Sequence, residues 1–495
     1  MLFNSLEFLI FFVIVTTLYF VLPHRFRWAL LLVSSSVFYM FFIPIYILIL
    51  FFTIIIDYFA GILIEREVGR KRRYFLAVSL VANIGVLAVF KYYNFFIENM
   101  AELARFLDWN YSPSILGIIL PIGLSFHTFQ AMSYTIEVYR GKQKAERHLG
   151  IYAVYVMFYP QLVAGPIERP QNLIHQFYEK HKFDYQRIVE GLRLMLWGFF
   201  KKVVIADRLA FFVDKIYDDP TAYHGMPLIM ATVFFSIQIY CDFSGYSDIA
   251  IGSAKVMGFT LMNNFNRPYF SKSISEFWTR WHISLSTWFK DYLYIPLGGN
   301  RVKKSKWYRN VFVVFLVSGF WHGANWTYIV WGALHGFYSV FAAVTAPIRE
   351  NVTSVLRVAV LPTLGQFFKI IITFCLVTFA WIFFRSNTVS DALYIVANLF
   401  DFHGTSFDPR YVAARVELTA LGIPFATGIT KLLFLESVGF IGILFLFEIL
   451  QRDQRFDCSL NGLSLWKRWT ICGLLFFSIV IFGFESEYQF VYFQF

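Results

Sequence analysis

Charged side chains are scarce in this sequence of 495 residues. Asp, Glu, Lys and Arg together make up 15% of it, while hydrophobic residues make up 58% and aromatic residues 21%. A soluble domain carries about 25% charged residues, and a soluble chain could not hide this much apolar surface from water. The scarcity of charge also excludes an intrinsically disordered chain. We therefore expect the chain to fold in a membrane.

Cysteine is also scarce, and its spacing is not that of a disulfide framework or a metal site. The four cysteines form no CxxC pair and no Cys/His ligand pattern, so we interpret them as core thiols and expect no metal. GxSxG, HExxH and GxxxxGK[ST] are absent as well. Their absence argues against an α/β-hydrolase, a zincin and a P-loop NTPase.

Long apolar runs are what the sequence has in abundance. A spanning helix needs about 20 apolar residues. The runs predict an all-α, polytopic integral membrane protein with about ten to thirteen transmembrane helices plus re-entrant or interfacial helices. No linker or repeat divides residues 1–495, which we treat as a single membrane-embedded domain. The candidate spans are Leu6–Leu22, two within Phe26–Leu63, Tyr74–Phe90, Ser114–Tyr134, Ile151–Val163, Leu192–Val213, Pro227–Tyr240, Ser247–Leu261, Val311–Phe320, Asn325–Val344, Gln366–Phe384, Leu432–Ile449 and Trp469–Phe484.

Basic residues cluster in alternate loops and account for the net charge of +11. The clusters follow the first, third and fifth candidate spans, and the stretch 267–309 has nine basic residues against two acidic ones. Cytoplasmic loops of membrane proteins are rich in Lys and Arg. We therefore expect these loops to face the cytoplasm, and the N-terminus and the loop 386–430 to face outward. We attribute the positive charge to these cytoplasmic loops, and we expect membrane lipids, and no nucleic acid, as partners.

One histidine stands in the middle of a long charge-free run. From Val311 to Ile348 there is no Asp, Glu, Lys or Arg, and His322 lies near its centre, in the sequence FWHGANW. An ionisable group at membrane depth usually faces a cavity or a partner. A neutral imidazole can accept a proton from a hydroxyl group, so His322 is a candidate general base. The alternative is a structural histidine that bonds to a neighbouring helix.

A second histidine lies on a predicted amphipathic helix. Residues 276–292 place Trp278, Trp281 and other apolar residues on one arc at helical spacing, with polar residues opposite. His282 falls at the edge of that arc. The pattern predicts a helix that lies partly in the membrane interface, with tryptophans as anchors. His282 is then either an active-site residue or an interfacial histidine.

Three other features leave their function open. Seven of the 13 tryptophans fall between Trp278 and Trp331, a density typical of either a ligand tunnel or interfacial anchoring. The turn 296–301 (PLGGNR), followed by lysines, is a candidate contact for an anionic cofactor such as a coenzyme A phosphate. The stretch 242–248 (DFSGYSD) puts two acidic residues in an apolar region. A helix break there would suit the ion site of a secondary transporter.

Four stretches together resemble one known family. They are PIGLSFHTFQ (121–130), FYPQLVAGPI (158–167), RWHISLSTWFKDYLYIPLGGNR (280–301) and SGFWHGANWTYIVWGALHG (318–336), and the ending FVYFQF (490–495) agrees with them. The chain resembles the membrane-bound O-acyltransferases (MBOAT), in the bacterial branch of alginate O-acetyltransferases. The resemblance implies a helical membrane fold around a central acyl-transfer channel.

The resemblance also implies roles for particular residues. The catalytic histidine of the family maps onto His322, and a second polar active-site position maps onto His282. His127 and His335 are weaker candidates. We expect substrate contacts from Trp278, Trp281, Trp321 and Asn325.

By the same resemblance, the acyl donor is acetyl-CoA, and the reaction uses no metal. An exoplasmic partner transferase would receive the acetyl group and place it on hydroxyls of an extracellular polysaccharide such as alginate, at the bacterial inner membrane. Two alternatives keep the fold: acetylation of peptidoglycan, and D-alanyl transfer to teichoic acid. A secondary transporter is the alternative from another class.

Overall fold

Every regular element in the described part of the chain is helical. The computed structural model describes residues 1–109, 111, 114–117, 120–163, 165–348, 362–402, 428–451 and 454–483. The predicted chain ending at 490–495 and most of the predicted outward loop, 403–427, lie outside these residues. The all-α class is confirmed.

The α-helices are numbered in chain order. Three π-helical segments, Ala88–Tyr92, Phe200–Ala206 and Lys290–Tyr294, continue or join some of them. The α-helices are α1 Leu6–Val21, α2 His24–Met40, α3 Ile47–Arg66, α4 Gly69–Leu87, α5 Tyr93–Phe106, α6 Leu124–Tyr139, α7 Leu149–Met157, α8 Tyr159–Leu162, α9 Pro170–Leu173, α10 Tyr185–Phe199, α11 Asp207–Tyr217, α12 Met226–Met257, α13 Ile274–Arg280, α14 Ile283–Phe289, α15 Lys304–His322, α16 Trp326–Val344, α17 Pro362–Arg385, α18 Val389–Asn398, α19 Gly428–Gln451, α20 Phe456–Ser459 and α21 Leu465–Phe482.

Seven helical segments within the described residues are long and apolar enough to cross a membrane, which agrees with a multi-pass membrane protein. A further apolar helix, α1, is shorter. The total number of crossings and the central channel stay predictions. The seven segments are Pro44–Arg66, Gly69–Phe106, Met226–Met257, Trp326–Val344, Leu364–Arg385, Leu432–Gln451 and Leu465–Phe482.

Contacts within the chain divide the protein into two compact units. The expectation that residues 1–495 form a single domain stays a prediction. Unit 1 comprises residues 1–199, 246–263 and 456–463, and unit 2 comprises residues 200–245, 264–455 and 464–495. In unit 1, α3, α4 and α6 pack together. Asp57 on α3 accepts hydrogen bonds from Ser79 Oγ (2.6 Å) and Asn83 Nδ2 (2.9 Å) on α4. Because a lone buried carboxylate is costly, these bonds tie the two helices together.

In unit 2, α15 and α16 form an antiparallel pair in which glycines allow a close approach. A Cβ atom on Gly319 would lie 2.3 Å from the carbonyl oxygen of Tyr328, and one on Gly332 would lie 2.4 Å from that of Phe315. Small residues at such crossings let two backbones touch and are typical of helix pairs in membranes. Of the glycines near His322, Gly319 therefore serves helix packing.

The predicted helix break at 242–248 is wrong. Helix α12 runs without interruption through this stretch and replaces the two separate spans predicted at 227–240 and 247–261. In unit 2, Asp242 accepts from the ammonium group of Lys202 at 2.7 Å, and Lys202 also contacts Asp207 at 2.6 Å. All three side chains are buried. Because a lysine neutralises it, the carboxylate of Asp242 is part of a buried ion-pair network and gives no support to an ion site.

Candidate active site

His322 is the last residue of α15 and lies among aromatic rings of unit 2. Its ring centroid is 5.0 Å from the ring centroids of Trp321 and Trp331, and 5.4 Å from that of Phe384. Gly323 ends the helix directly after it. His322 is only 3% exposed, so a substrate has to enter this aromatic enclosure to reach the imidazole.

His282 lies at a break between two short helices, so the prediction of one amphipathic helix over 276–292 is wrong. Helix α13 ends at Arg280, α14 begins at Ile283, and His282 has a left-handed backbone with φ 43° and ψ 55°. A left-handed conformation costs a non-glycine residue about 1–3 kcal/mol and persists only where the surroundings hold it. His282 is fully buried in the protein, and its depth in the membrane stays a prediction.

Asn264 holds this break in place. Its backbone carbonyl accepts from the Ile283 amide at 2.9 Å, and its side-chain Oδ1 accepts from the Ser284 amide at 3.2 Å. These amides belong to the first turn of α14, where backbone donors have no partner inside the helix. The caps come from a residue 18 positions before His282, which explains why local periodicity predicted a continuous helix.

The same Asn264 oxygen orients the imidazole of His282. It accepts from Nδ1 of His282 at 3.1 Å. An amide oxygen can only accept, so Nδ1 carries the proton and Nε2 carries the lone pair. Burial lowers the pKa of His282 to about 3. The ring is therefore neutral around neutral pH, with Nε2 able to accept a proton or a hydrogen bond.

A series of tryptophans connects the surroundings of the two histidines within unit 2. Trp281, next to His282 in the chain, lies 5.2 Å from Trp381, measured between ring centroids. Trp381 stacks on Trp331 at 5.7 Å with an angle of 19° between the planes, and Trp331 contacts His322. Of the dense tryptophans, Trp321 and Trp331 line the interior around His322. The structure adds Trp381 and Phe384, which the sequence motifs did not indicate.

The other predicted site residues have identifiable positions. Trp278 Nε1 donates to Nδ1 of His335 at 3.2 Å in unit 2. Asn325 caps α16, accepting from the Thr327 amide at 3.1 Å, and donates to the Asn387 carbonyl at 2.9 Å. Both polar ends of its side chain thus bond to the backbone, while the predicted substrate contact of Asn325 stays a prediction.

His127, a weaker candidate, belongs to unit 1. Its Nε2 lies 2.6 Å from Thr53 Oγ1. Since the Thr53 hydroxyl donates to the Leu50 carbonyl at 2.9 Å, it accepts from Nε2 of His127. This bond connects α6 to α3, and a catalytic role of His127 stays a prediction.

The basic stretch lies at the opposite end of α15 from His322. Lys303, Lys304 and Lys306 are exposed at its start, and His322 is its last residue. With a rise of 1.5 Å per residue, the two ends are about 27 Å apart. A donor held by these lysines therefore has to extend along α15 to bring an acyl group to His322.

The helical fold and the enclosed histidine define a multi-pass membrane protein with a buried histidine among aromatic rings, and comparison with known proteins shows which family it is. The profile of the MBOAT, membrane-bound O-acyltransferase, family matches residues 148–383, which include His282 and His322. The "Probable alginate O-acetylase AlgI" of Pseudomonas aeruginosa is 39% identical over 409 residues, 81% of this chain and 75% of that protein. The chain belongs to the membrane-bound O-acyltransferase family.

Relatives with other printed functions are similar too. The peptidoglycan O-acetyltransferase of Helicobacter pylori is 37% identical over 404 residues, which cover 76% of this chain and 74% of that protein. The teichoic acid D-alanyltransferase of Bacillus subtilis is 30% identical over 232 residues, 44% of this chain and 58% of that protein. The protein is thus a membrane-bound O-acyltransferase, and the names of its relatives differ in acceptor and acyl group.

Proposed function

We propose that the protein is an O-acetyltransferase that takes acetyl groups from cytoplasmic acetyl-CoA for hydroxyls of an extracellular polysaccharide such as alginate. An exoplasmic partner transferase would complete the delivery. The observation that carries this proposal is the similarity to alginate O-acetylases over about four-fifths of the chain. The family match also contains both candidate histidines.

His322 acts as the general base of the transfer. It takes the proton of the acceptor hydroxyl while the hydroxyl oxygen attacks the acyl carbonyl carbon. The carbon–sulfur bond then breaks, and the leaving thiolate takes the proton from His322, so that an oxygen ester and a thiol are formed. Since a thioester is already activated, orientation and one proton transfer supply most of what the reaction needs.

His282 orients or polarises one of the reactants. Its Nδ1 proton is held by Asn264, so Nε2 is the nitrogen that accepts a hydrogen bond from a hydroxyl group. A fixed tautomer of this kind keeps a histidine ready for its role without reorganisation during the reaction. We propose His282 as the second catalytic residue on this ground.

The site suits a bacterial inner membrane in which the basic loops face the cytoplasm and the N-terminus faces outward. The exposed lysines at the start of α15 would then meet a negatively charged donor on the cytoplasmic side. The end of α15 that carries His322 would lie toward the acceptor side. Transfer across the membrane thus requires the donor to reach along one helix.

The test is a comparison of His322→Ala with wild type and with His175→Ala. His175 is exposed, so its replacement controls for the loss of an imidazole as such. We expect His322→Ala to insert and fold but to lose activity by about 10²–10⁴-fold, the usual contribution of a general base. The measurements are O-acetyl esters on the secreted polymer and consumption of radiolabelled acetyl-CoA by detergent-solubilised protein. Wild-type ester levels in His322→Ala would overturn the assignment.

A second acceptor is favoured by one specific comparison. The peptidoglycan O-acetyltransferase relative covers 76% of this chain, almost as much as the alginate O-acetylase relative from Pseudomonas aeruginosa. Both reactions place an acetyl group on a sugar hydroxyl, so the same site chemistry serves either. Ester analysis of polysaccharide and peptidoglycan, isolated from the same wild-type and deletion cells, identifies the acceptor by which ester disappears.

A further inference from the structure

Three buried polar groups follow one face of α16 at intervals of four residues. They are the Thr327 hydroxyl, Trp331 Nε1 and His335 Nε2, and all three side chains are 0% exposed. Residues four apart lie one above the other on the same face of a helix. None of these three atoms has a hydrogen-bond partner among the described residues. A row of three such groups is unusual, because most buried polar atoms in proteins are paired.

The tautomer of His335 makes its Nε2 a donor. Trp278 Nε1 points its proton at Nδ1 of His335 at 3.2 Å. An indole nitrogen can only donate, so Nδ1 accepts and carries no proton. The proton of the neutral ring is therefore on Nε2, the buried atom that faces no acceptor of the described chain.

A fourth donor joins the row from the neighbouring helix α17. Trp381 is fully buried, stacks on Trp331, and its Nε1 has no partner among the described residues. Three adjacent N–H groups and a hydroxyl thus share an interior whose other walls are aromatic, among them Phe315 and Phe384. Each unmet donor destabilises the protein. A ligand that brings carbonyl oxygens would satisfy them.

The row extends from the level of His322 toward the basic end of α15. The glycine contacts pair Gly332 with Phe315, and Gly336 with Phe312, across the antiparallel helices. His335 therefore lies beside residues 312–315 of α15, about halfway along the helix and about 13 Å from the level of His322. Trp331 is closer, with its ring 5.0 Å from that of His322. A donor that extends from the lysines to His322 would pass these groups.

We propose that this row binds the carbonyl oxygens of the extended acyl donor, with His335 Nε2 donating to an amide carbonyl of the arm that carries the thioester. This inference rests on the proposed function, because it assumes a thioester donor with amide groups in its arm. His335 is then a donor-binding residue, and its bond from Trp278 serves only to fix the tautomer. Trp331 Nε1, nearer to His322, donates close to the thioester itself.

Two variants of His335 separate binding from structure. His335→Asn keeps an oxygen where Nδ1 accepts from Trp278 but lacks any donor at the position of Nε2. His335→Gln has an N–H group at the position of Nε2 but loses the acceptor for Trp278. If His335 binds the donor, His335→Asn raises the KM for acetyl-CoA roughly ten- to a hundredfold at little change in kcat, and His335→Gln is milder. The opposite order means a structural histidine and overturns the proposal.

Shortened donors locate the carbonyl that His335 binds. Acetyl-CoA and S-acetyl-N-acetylcysteamine both contain an amide in the arm, whereas S-acetyl propanethiol has none. We expect His335→Asn to impair the use of the amide-containing donor acetyl-CoA and to have no effect with S-acetyl propanethiol. Impairment of the same size with S-acetyl propanethiol would place His335 at the thioester carbonyl and overturn the assignment to the arm.

A second variant and the wild type complete the test. Trp331→Phe keeps an aromatic ring and removes one N–H group of the row, so it should also raise the KM for acetyl-CoA. It provides the test if His335→Asn fails to fold. An unchanged KM in folded Trp331→Phe counts against the row as a binding site. Wild-type protein that consumes no acyl thioester at all refutes the proposed function, whereas active wild type with an unaffected His335→Asn refutes this inference alone.

Discussion

The amide oxygen of Asn264 determines which nitrogen of His282 can take part in chemistry. It accepts from Nδ1 of His282 (3.1 Å), from the Ser284 amide (3.2 Å) and from the Ser284 hydroxyl (2.9 Å). One residue thus fixes both the left-handed backbone at His282 and the tautomer of its ring. In metal sites of other proteins, loss of the partner that orients a histidine lowers metal affinity or activity about ten- to a hundredfold. By the same reasoning, we expect Asn264 to be a positioning residue for His282.

Substitution of Asn264 should change the pH dependence as well as the rate. Asn264→Ala removes the acceptor and should lower kcat about ten- to a hundredfold. Asn264→Asp keeps an oxygen but adds a negative charge, which raises the pKa of His282 above its value of about 3. Activity that needs neutral His282 is complete above that pKa and falls as the pH drops through it. The acidic limb of the pH–rate profile should therefore move to higher pH in Asn264→Asp.

The readout is kcat across the acidic and neutral range for both variants. A purely structural Asn264 would lower the amount of folded protein without moving the acidic limb. An unmoved limb in folded Asn264→Asp, together with full activity of Asn264→Ala, would contradict the role.

Helices could be predicted where local composition determines them, and their ends could not be predicted where a residue distant in the chain determines them. The apolar runs predicted α3, α16 and α17 because length and composition suffice for a spanning helix. The break at His282 was missed because its caps come from Asn264, which no local pattern connects to it. His322 became a candidate because it stands in a charge-free run and in a motif that resembles the family, and its catalytic role stays a prediction. Trp381 did not become a candidate, since only packing brings α17 beside α16.

The glycine contact between α15 and α16 offers a prediction about the helix pair. In Gly332→Ala the new Cβ would lie 2.4 Å from the Phe315 carbonyl oxygen, so the helices must move apart. Such overpacking costs about 1–3 kcal/mol, and it displaces Trp331 from His322. We expect a lower melting temperature in detergent and a reduced rate of acyl transfer, measured on the same preparation.

Gly439→Ala is the matched control for this substitution. Gly439 also lies inside a helix of unit 2, and a Cβ there would meet nothing within 4 Å. Because alanine favours helix more than glycine does, the control should leave stability unchanged or slightly higher. Equal melting temperatures for Gly332→Ala and Gly439→Ala would show that the close approach of the two backbones does not contribute to the stability of the protein.

At the scale of the whole molecule, the charge pattern predicts the orientation of the chain, and unit 2 makes that prediction testable. Helices α15, α16 and α17 follow one another, and α15 and α17 each pack against α16. The end of α15 at His322 lies near the end of α17, since Asn325 donates to the Asn387 carbonyl. The basic start of α15 is then on the opposite side from residues 387–390. His322 therefore lies at the end of α15 that is predicted to face outward.

Cysteine labelling in intact cells tests this orientation. In a background with the four native cysteines replaced by serine, we introduce Lys304→Cys or Ser390→Cys, both at exposed positions. A membrane-impermeant maleimide should label the cysteine at 390 in intact cells, and should label the one at 304 only after the membrane is opened, because lysine-rich loops remain in the cytoplasm. The reverse pattern would place His322 near the cytoplasmic side, and a donor bound at the lysines could then not reach it from the cytoplasm. Labelling of both positions from outside would contradict the span predicted at Val311–Phe320.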